Sequence, residues 1–385
     1  MKKFAYIGLM LCLLVSCRPE DKIVPSEAVR VGKSLPSDSL KGFFLLNEGN
    51  MGSNKCTLDF YDFETGVYTH NIYAERNPGV VQELGDVGND ICLYGSRLYV
   101  AVNCSHFVEV MDARTARHLT QISVPNCRNF AAEGQYLYVT SYAGPIQIGP
   151  NSRLGYVARI DTSTLKVVDT CTVGYQPEQM AVYGRKLYVA NSGGYGVPHY
   201  DNRVSVIDLD TFRKIRDIEV ADNLRCVQID RRRGLLYVSS QGDYYGEGSA
   251  TYIIDAKTDE LVESLPLLPC SSMTLCGDSL FVYSTEWNYH SHRNEVSYAV
   301  FNLEKRQVDT RNMIHDHTEA EIGKPYGLAV NPINGDFYVT DAVDCVTPGW
   351  LHCYNAEGVR QWTVKTGDVP AHFAFSPYRL APLSE

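Results

Sequence analysis

Gly184-Arg185-Lys186-Leu187-Tyr188-Val189-Ala190-Asn191 opens a unit that closes with Val204-Ser205-Val206-Ile207-Asp208-Leu209-Asp210-Thr211. Leu-Tyr-Val and Val-Ser-Val-Ile are β-branched and aromatic runs of strand length, so the stretch reads as a β-hairpin. A Gly- and Tyr-rich interruption, Ser192 to Asn202, makes its loop over-long. Asp208 to Thr211 is a polar turn whose short side chains can bond the backbone. The first half recurs as Phe43-Phe44-Leu45, Leu98-Tyr99-Val100, Leu137-Tyr138-Val139, Leu236-Tyr237-Val238, Leu280-Phe281-Val282 and Phe337-Tyr338-Val339. The second half recurs around Asp62, Asp112, Asp161, Asp208, Asp255, Asn302 and Asn355, at steps of 50, 49, 47, 47, 47 and 53 residues. A period near fifty with about four strands per period is the pattern of a β-propeller, here with seven blades.

A third element precedes each Leu-Tyr-Val, as in Gln179-Met180-Ala181-Val182 and Tyr326-Gly327-Leu328-Ala329-Val330. The seventh copy, Ala371-His372-Phe373-Ala374-Phe375, stands almost at the C-terminus, and none precedes Phe43. The last strand therefore completes the first blade and ties the two ends together. The prediction is an all-β, seven-bladed propeller over residues 42–380, closed by its C-terminal strand. Seven units and a split first blade argue against a β-sandwich or an open solenoid.

Hydrophobic residues make up 44% of the chain and charged residues 21%, ordinary for a globular protein with a large core. Residues 1–16 are Met-Lys-Lys, an apolar run from Phe4 to Val15, and Ser16, the pattern of a secretory signal too short to stay as a membrane span. Its removal leaves 33 basic against 45 acidic residues, a net charge of −12, and no basic patch stands out, so nucleic acid is a poor partner. Leu14-Val15-Ser16-Cys17 has the form of a bacterial lipobox, with Cys17 the lipidated start of the mature chain. The lipid is then the only attachment to the membrane. Residues 17–41 carry Pro19, Pro25, Gly32 and Pro36 and read as a flexible tether. Of the twelve cysteines, Cys12 lies in the signal segment and ten besides Cys17 remain in the mature chain, irregularly spaced and with no zinc pattern. Cys104/Cys127 and Cys345/Cys353 are the candidate disulfides, and the spacing leaves open whether either forms.

Two sets of loops share one face of a propeller, and here both are long and decorated. Tyr142, Tyr195, Tyr244, Tyr245, Trp287, Tyr289 and Tyr326 project from them, beside Asn89, Arg128, Glu178, Arg225 and His372. Aromatics with Asn, Gln and Arg suit a large, partly planar ligand bearing amides. Turns at the other end, such as Arg231-Arg232-Arg233-Gly234, are short and charged. No nucleophile elbow, HExxH or phosphate-binding glycine loop occurs, so no catalytic residue is assigned. His290-Ser291-His292 and His315-Asp316-His317 are the close histidine pairs, and a solvated edge explains them better than a metal.

The lipobox, the seven repeat units and Tyr326-Gly327-Leu328-Ala329-Val330-Asn331-Pro332 running to Asp341-Ala342 resemble the YncE-like surface-layer propeller lipoproteins of Bacteroidota. Arg18-Pro19-Glu20-Asp21 after Cys17 resembles their export signal for the outer face of the outer membrane. Within that family the chain looks like the surface cobalamin-binding lipoproteins that partner the outer-membrane cobalamin transporter. That resemblance implies a surface lipoprotein that captures cobalamin, a corrinoid, on one propeller face. It also implies delivery to an outer-membrane TonB-dependent transporter, with no cofactor beyond the transported ligand and no enzymatic activity. The motifs that carry the resemblance specify blades rather than ligand. Haem or glycan binding, a protein-interaction scaffold and a lyase-type enzyme using His290 or His372 stay open as alternatives.

Overall fold

Each Leu-Tyr-Val run is apolar on both faces, and each becomes a strand with sheet neighbours on either side. A computed structural model describes residues 26–34, 39–80, 83–145, 152–288 and 293–383, the side chains of 287, 288 and 293 excepted. Seven antiparallel sheets stand around an axis. Blade 4 shows the order from the axis outward: Pro177–Tyr183, Lys186–Asn191, Arg203–Asp208 and Arg213–Glu219. The innermost strands of blades 1 to 7 are Pro370–Ser376, Gly88–Tyr94, Cys127–Glu133, Pro177–Tyr183, Leu224–Asp230, Ser272–Cys276 and Pro325–Val330. Each packs against its neighbours on both sides, and the ring closes where blade 7 meets blade 1. The architecture is the expected all-β, seven-bladed propeller.

The repeated tyrosines Tyr99, Tyr138, Tyr188, Tyr237 and Tyr338 are all buried. The Tyr188 hydroxyl donates to the Ala256 carbonyl at 2.8 Å and to Asp259 Oδ1 at 2.6 Å, tying blade 4 to blade 5. Outer strands such as Arg213–Glu219 are largely exposed and carry charge. The repeated Asp turns work as their residue types suggest. Asp62, Asp112, Asp161 and Asp208 each accept the backbone N–H of the Thr three residues on, at 2.8 to 3.0 Å.

Closure follows the predicted pairing. Phe43 lies opposite Phe375, Leu45 opposite Phe373 and Leu46 opposite His372. Phe43 contacts the rings of Phe373 and Phe375 with centroids 5.3 and 5.9 Å apart. Blade 1 also has a fifth strand, Ala28–Arg30, within the segment read as tether. It pairs antiparallel with Val67–Thr69, and the Tyr61 hydroxyl bonds the Gly32 carbonyl below it. Antiparallel pairing here sets direction: Arg30, opposite Val67, lies toward the Asp-turn end, and Ala28, opposite Thr69, toward the loop-rich end.

Candidate functional site

The loop-rich end of the channel is built by a repeated irregularity in the innermost strands. In blades 1 to 5 and 7 the pairing with the second strand slips near the start of the innermost strand. A bulge leaves residues unpaired and re-aims their side chains, a device common beside functional sites. The residues thrown out of register include Asn89, Arg128, Glu178, Arg225 and Tyr326. The second strand supports several bulges with a hydroxyl. Thr140, Ser239 and Thr340 accept the N–H of Asn129, Cys226 and Gly327 at 2.9, 3.0 and 2.7 Å. Gly327 is required there, because a Cβ would stand 2.3 Å from the Ala371 carbonyl oxygen.

Two side-chain networks occupy this mouth. In the first, Arg128 donates to Asn89 Oδ1 at 2.8 Å and to Glu178 Oε2 at 3.3 Å. Its guanidinium stands 4.7 Å from the centre of the Tyr142 ring, whose hydroxyl bonds the other Glu178 oxygen. Burial is the largest single influence on Arg128 and would lower its pKa; Glu178, with Tyr142, Tyr195 and Glu48, together outweigh it, and the net direction is up. Tyr142 is pushed well above the ordinary phenol range, first by burial and then by Glu178. Tyr195 adds an edge-on ring 6.4 Å from Tyr142. In the second network Glu48 accepts from the Tyr326 hydroxyl at 3.0 Å and faces His372 Nε2 at 2.9 Å. The Glu48 charge is the main cause of a strongly raised Tyr326 pKa, with burial second.

Arg225 differs from both. It is exposed, although protein surrounds it as the wall of an open channel. Among the described residues no hydrogen bond or ion pair engages its guanidinium. The charged and phenolic groups around it are Cys226, Tyr326, Glu178 and Tyr283.

The structure thus brings Asn89, Arg128, Glu178, Tyr142, Tyr195, Arg225, Tyr326 and His372 to one end of the channel. It sets Tyr244 and Tyr245 further out, on the loop after the second strand of blade 5. There Asp243 Oδ1 accepts the N–H groups of Tyr245, Gly246 and Glu247, each at 2.8 Å, and holds a turn that points Tyr245 into solvent. Tyr244 meets Tyr200 edge-on at 6.3 Å. Trp287 lies on a strand opposite Asn294, and its side chain, Tyr289, His290, His292 and Cys17 lie outside the described residues. Arg128, expected to offer donors to a ligand, uses them within the protein. The sequence reading does not single out Glu48; its one signal is an acid directly after a second strand.

His315 and His317 sit in an irregular segment, where His315 bonds the backbone carbonyls of Glu357 and Asn312. Among the described residues no group of three His, Cys, Asp or Glu is placed to hold a metal. The ten described cysteines are free thiols, including both expected pairs. Cys226 Sγ donates to the Ser271 carbonyl at 3.5 Å. No helix among the described residues is long and apolar enough to cross a membrane. Two grooves open on the propeller's side rather than at this mouth. One, of about 450 Å³, lies between blades 5 and 6; the other, of about 550 Å³, lies between blades 7 and 1.

Solved structures share the fold. A quinonprotein alcohol dehydrogenase-like protein from Bacteroides thetaiotaomicron is 17% identical, with a TM-score of 0.59 over 88% of this chain and 78% of that one. Hydrazine synthase from Kuenenia stuttgartiensis is 18% identical, with a TM-score of 0.55 over 69% of this chain and 76% of that one. A functionally unknown protein from Desulfotomaculum acetoxidans is 9% identical, with a TM-score of 0.58 over 89% of this chain and all of that one. At such identities the likeness extends to the fold alone. No curated protein sequence matches the chain. A family model described as a domain of unknown function (DUF5074) matches residues 41–376, the whole propeller through its closing strand, and the chain belongs to that family.

Proposed function

We propose that this protein is a surface lipoprotein that captures cobalamin on the loop-rich face and delivers it to an outer-membrane TonB-dependent transporter. The observation that carries this reading is the channel mouth itself. Two internally bonded networks, Asn89–Arg128–Glu178–Tyr142 and Tyr326–Glu48–His372, hold aromatic rings and polar edges in place before any ligand arrives. A rigid, broad surface of that chemistry suits a corrin with peripheral amides, and pre-organisation lowers the entropic cost of binding. The path of the N-terminal segment supports the same reading. The described N-terminal strand has Ala28 at its loop-rich end, opposite Thr69, and the nine residue steps from Cys17 to Ser26 can span at most about 30 Å. A lipid on Cys17 would therefore turn the loop-rich face toward the membrane and a transporter within it.

Calorimetric titration of the full-length protein with cyanocobalamin tests the proposal. The expected result is saturable binding of one molecule, with the ligand recovered unchanged. No heat at micromolar concentrations sinks the corrinoid assignment, and Cys17→Ala protein that stays in the membrane fraction removes the anchor. The His372–Glu48 pair favours a second reading, an enzyme using His372 as a base, because a carboxylate 2.9 Å from an imidazole orients it for proton transfer. Recovery of altered corrinoid would select that reading.

A further inference from the structure

Among the described residues the polar side chains of the two networks at the channel mouth have hydrogen-bond partners, and Arg225 does not. Glu178 bonds Arg128 and Tyr142, and Glu48 bonds Tyr326 and His372. Arg225 has no such partner among the described residues, is exposed, and follows Leu224 in the bulge at the start of its strand, with Tyr326, Glu178 and Tyr283 of other blades around it. The tyrosine nearest it on the next blade is already committed, since the Tyr283 hydroxyl bonds the Tyr326 carbonyl. An arginine fork left open in a confined mouth is a site for a planar or tetrahedral oxyanion, which it can grip with two parallel N–H donors. The number of charges narrows the choice. Arg225 is the one open fork among the described residues, and Glu48, Glu178 and Asp90 stand around the same mouth, so a second negative charge on a ligand would meet a carboxylate rather than another open cation.

We propose that Arg225 is the specificity-determining contact of this face and that it binds a monoanionic phosphodiester of the ligand. The proposal rests on the corrinoid reading above. Cobalamin carries one phosphodiester, in the loop that joins the corrin to its benzimidazole, and Arg225 places that loop over blades 5 and 6. The dicarboxylate haem, in contrast, does not match the charge of the mouth.

The test compares cyanocobalamin with dicyanocobinamide, which lacks the nucleotide loop and its phosphodiester, on full-length wild type, Arg225→Met and Arg225→Lys. The expected result is a loss of about 10- to 100-fold for cobalamin with Arg225→Met, and less than about threefold for cobinamide, the range for removing one charge-assisted contact. Arg225→Lys restores part of the loss. Melting temperatures of the variants should match wild type, because no internal bond is removed. Equal loss for both corrinoids, or no loss for either, overturns the assignment while leaving the corrinoid reading in place. Absence of binding by wild type to either compound ends both.

Discussion

Arg128 and Arg225 occupy equivalent bulges two blades apart, and the structure gives them opposite duties. Replacing Arg128 with Met keeps most of the side chain's volume and removes the guanidinium. Lost with it are the bonds to Asn89 and Glu178 and the cation–π contact with Tyr142. Glu178 is left with the Tyr142 hydroxyl alone, its side chain only 13% exposed. A hydrogen bond to a charged group contributes about 1.5–3 kcal/mol and a cation–π contact about 0.5–1 kcal/mol. Relief from desolvating the 19%-exposed Arg128 side chain returns part of this, leaving a net cost of about 3 kcal/mol. A propeller of this size unfolds with an entropy of about 0.7 kcal/mol per kelvin, so the melting temperature should fall by about 4 °C. Scanning calorimetry at pH 7 on Arg128→Met, Glu178→Gln and the double variant reads it directly. The double variant should lose less than the sum of the singles by at least about 1 kcal/mol, because the two side chains act as a pair. A melting temperature within about 1 °C of wild type for Arg128→Met, or strict additivity, would refute the view that Arg128 is structural. The same experiment on Arg225→Met should show no change.

Two further outcomes follow from the fold. Deleting residues 369–385 removes the innermost strand of blade 1 and exposes the buried edge of Gly42–Asn47, so stability should fall by at least about 5 kcal/mol; a truncated chain with an unchanged melting temperature and protease resistance would mean that the ring closes another way. His352 is buried with Nε2 unpartnered and Nδ1 3.0 Å from Thr363 Oγ1, and burial, with Arg360 adding to it, pulls its pKa from 6.5 down to about 4 against the opposing charges of Asp341 and Glu321. The folded state holds this ring neutral, so its contribution is complete above about pH 6.5 and disappears as pH falls through 4, an amount on the order of 3 kcal/mol. Denaturant titrations of wild type and His352→Leu should therefore converge by about that amount between pH 7 and pH 4, and parallel profiles would show that the ring is not held neutral.

The blades could be read from the chain because what makes a blade is local. Alternating apolar residues in Leu187-Tyr188-Val189 and the Asp208–Thr211 turn satisfy their backbone and bury their faces with partners close in sequence, and seven copies of one pattern specify the count. The C-terminal strand could be read as well, since Ala371 to Phe375 repeats that pattern where no hairpin remains to complete. The residues of the mouth were legible as types: aromatics, amides and charges on the long loops. Their roles were not, because satisfaction is a property of partners far apart in the chain. Tyr326 finds Glu48 across 278 residues and His372 finds it across 324, while Arg128 is neutralised by Glu178 of the next blade. Packing of one blade on the next makes Arg128 a strut and leaves Arg225 open, and pairing with Val67–Thr69 seats Ala28–Arg30 as a fifth strand. The sequence determined which strands there are; the tertiary structure decided which charges they leave unmatched, because electrostatic pairing depends on distance in space and the repeat spaces its bulges one blade apart around a common axis.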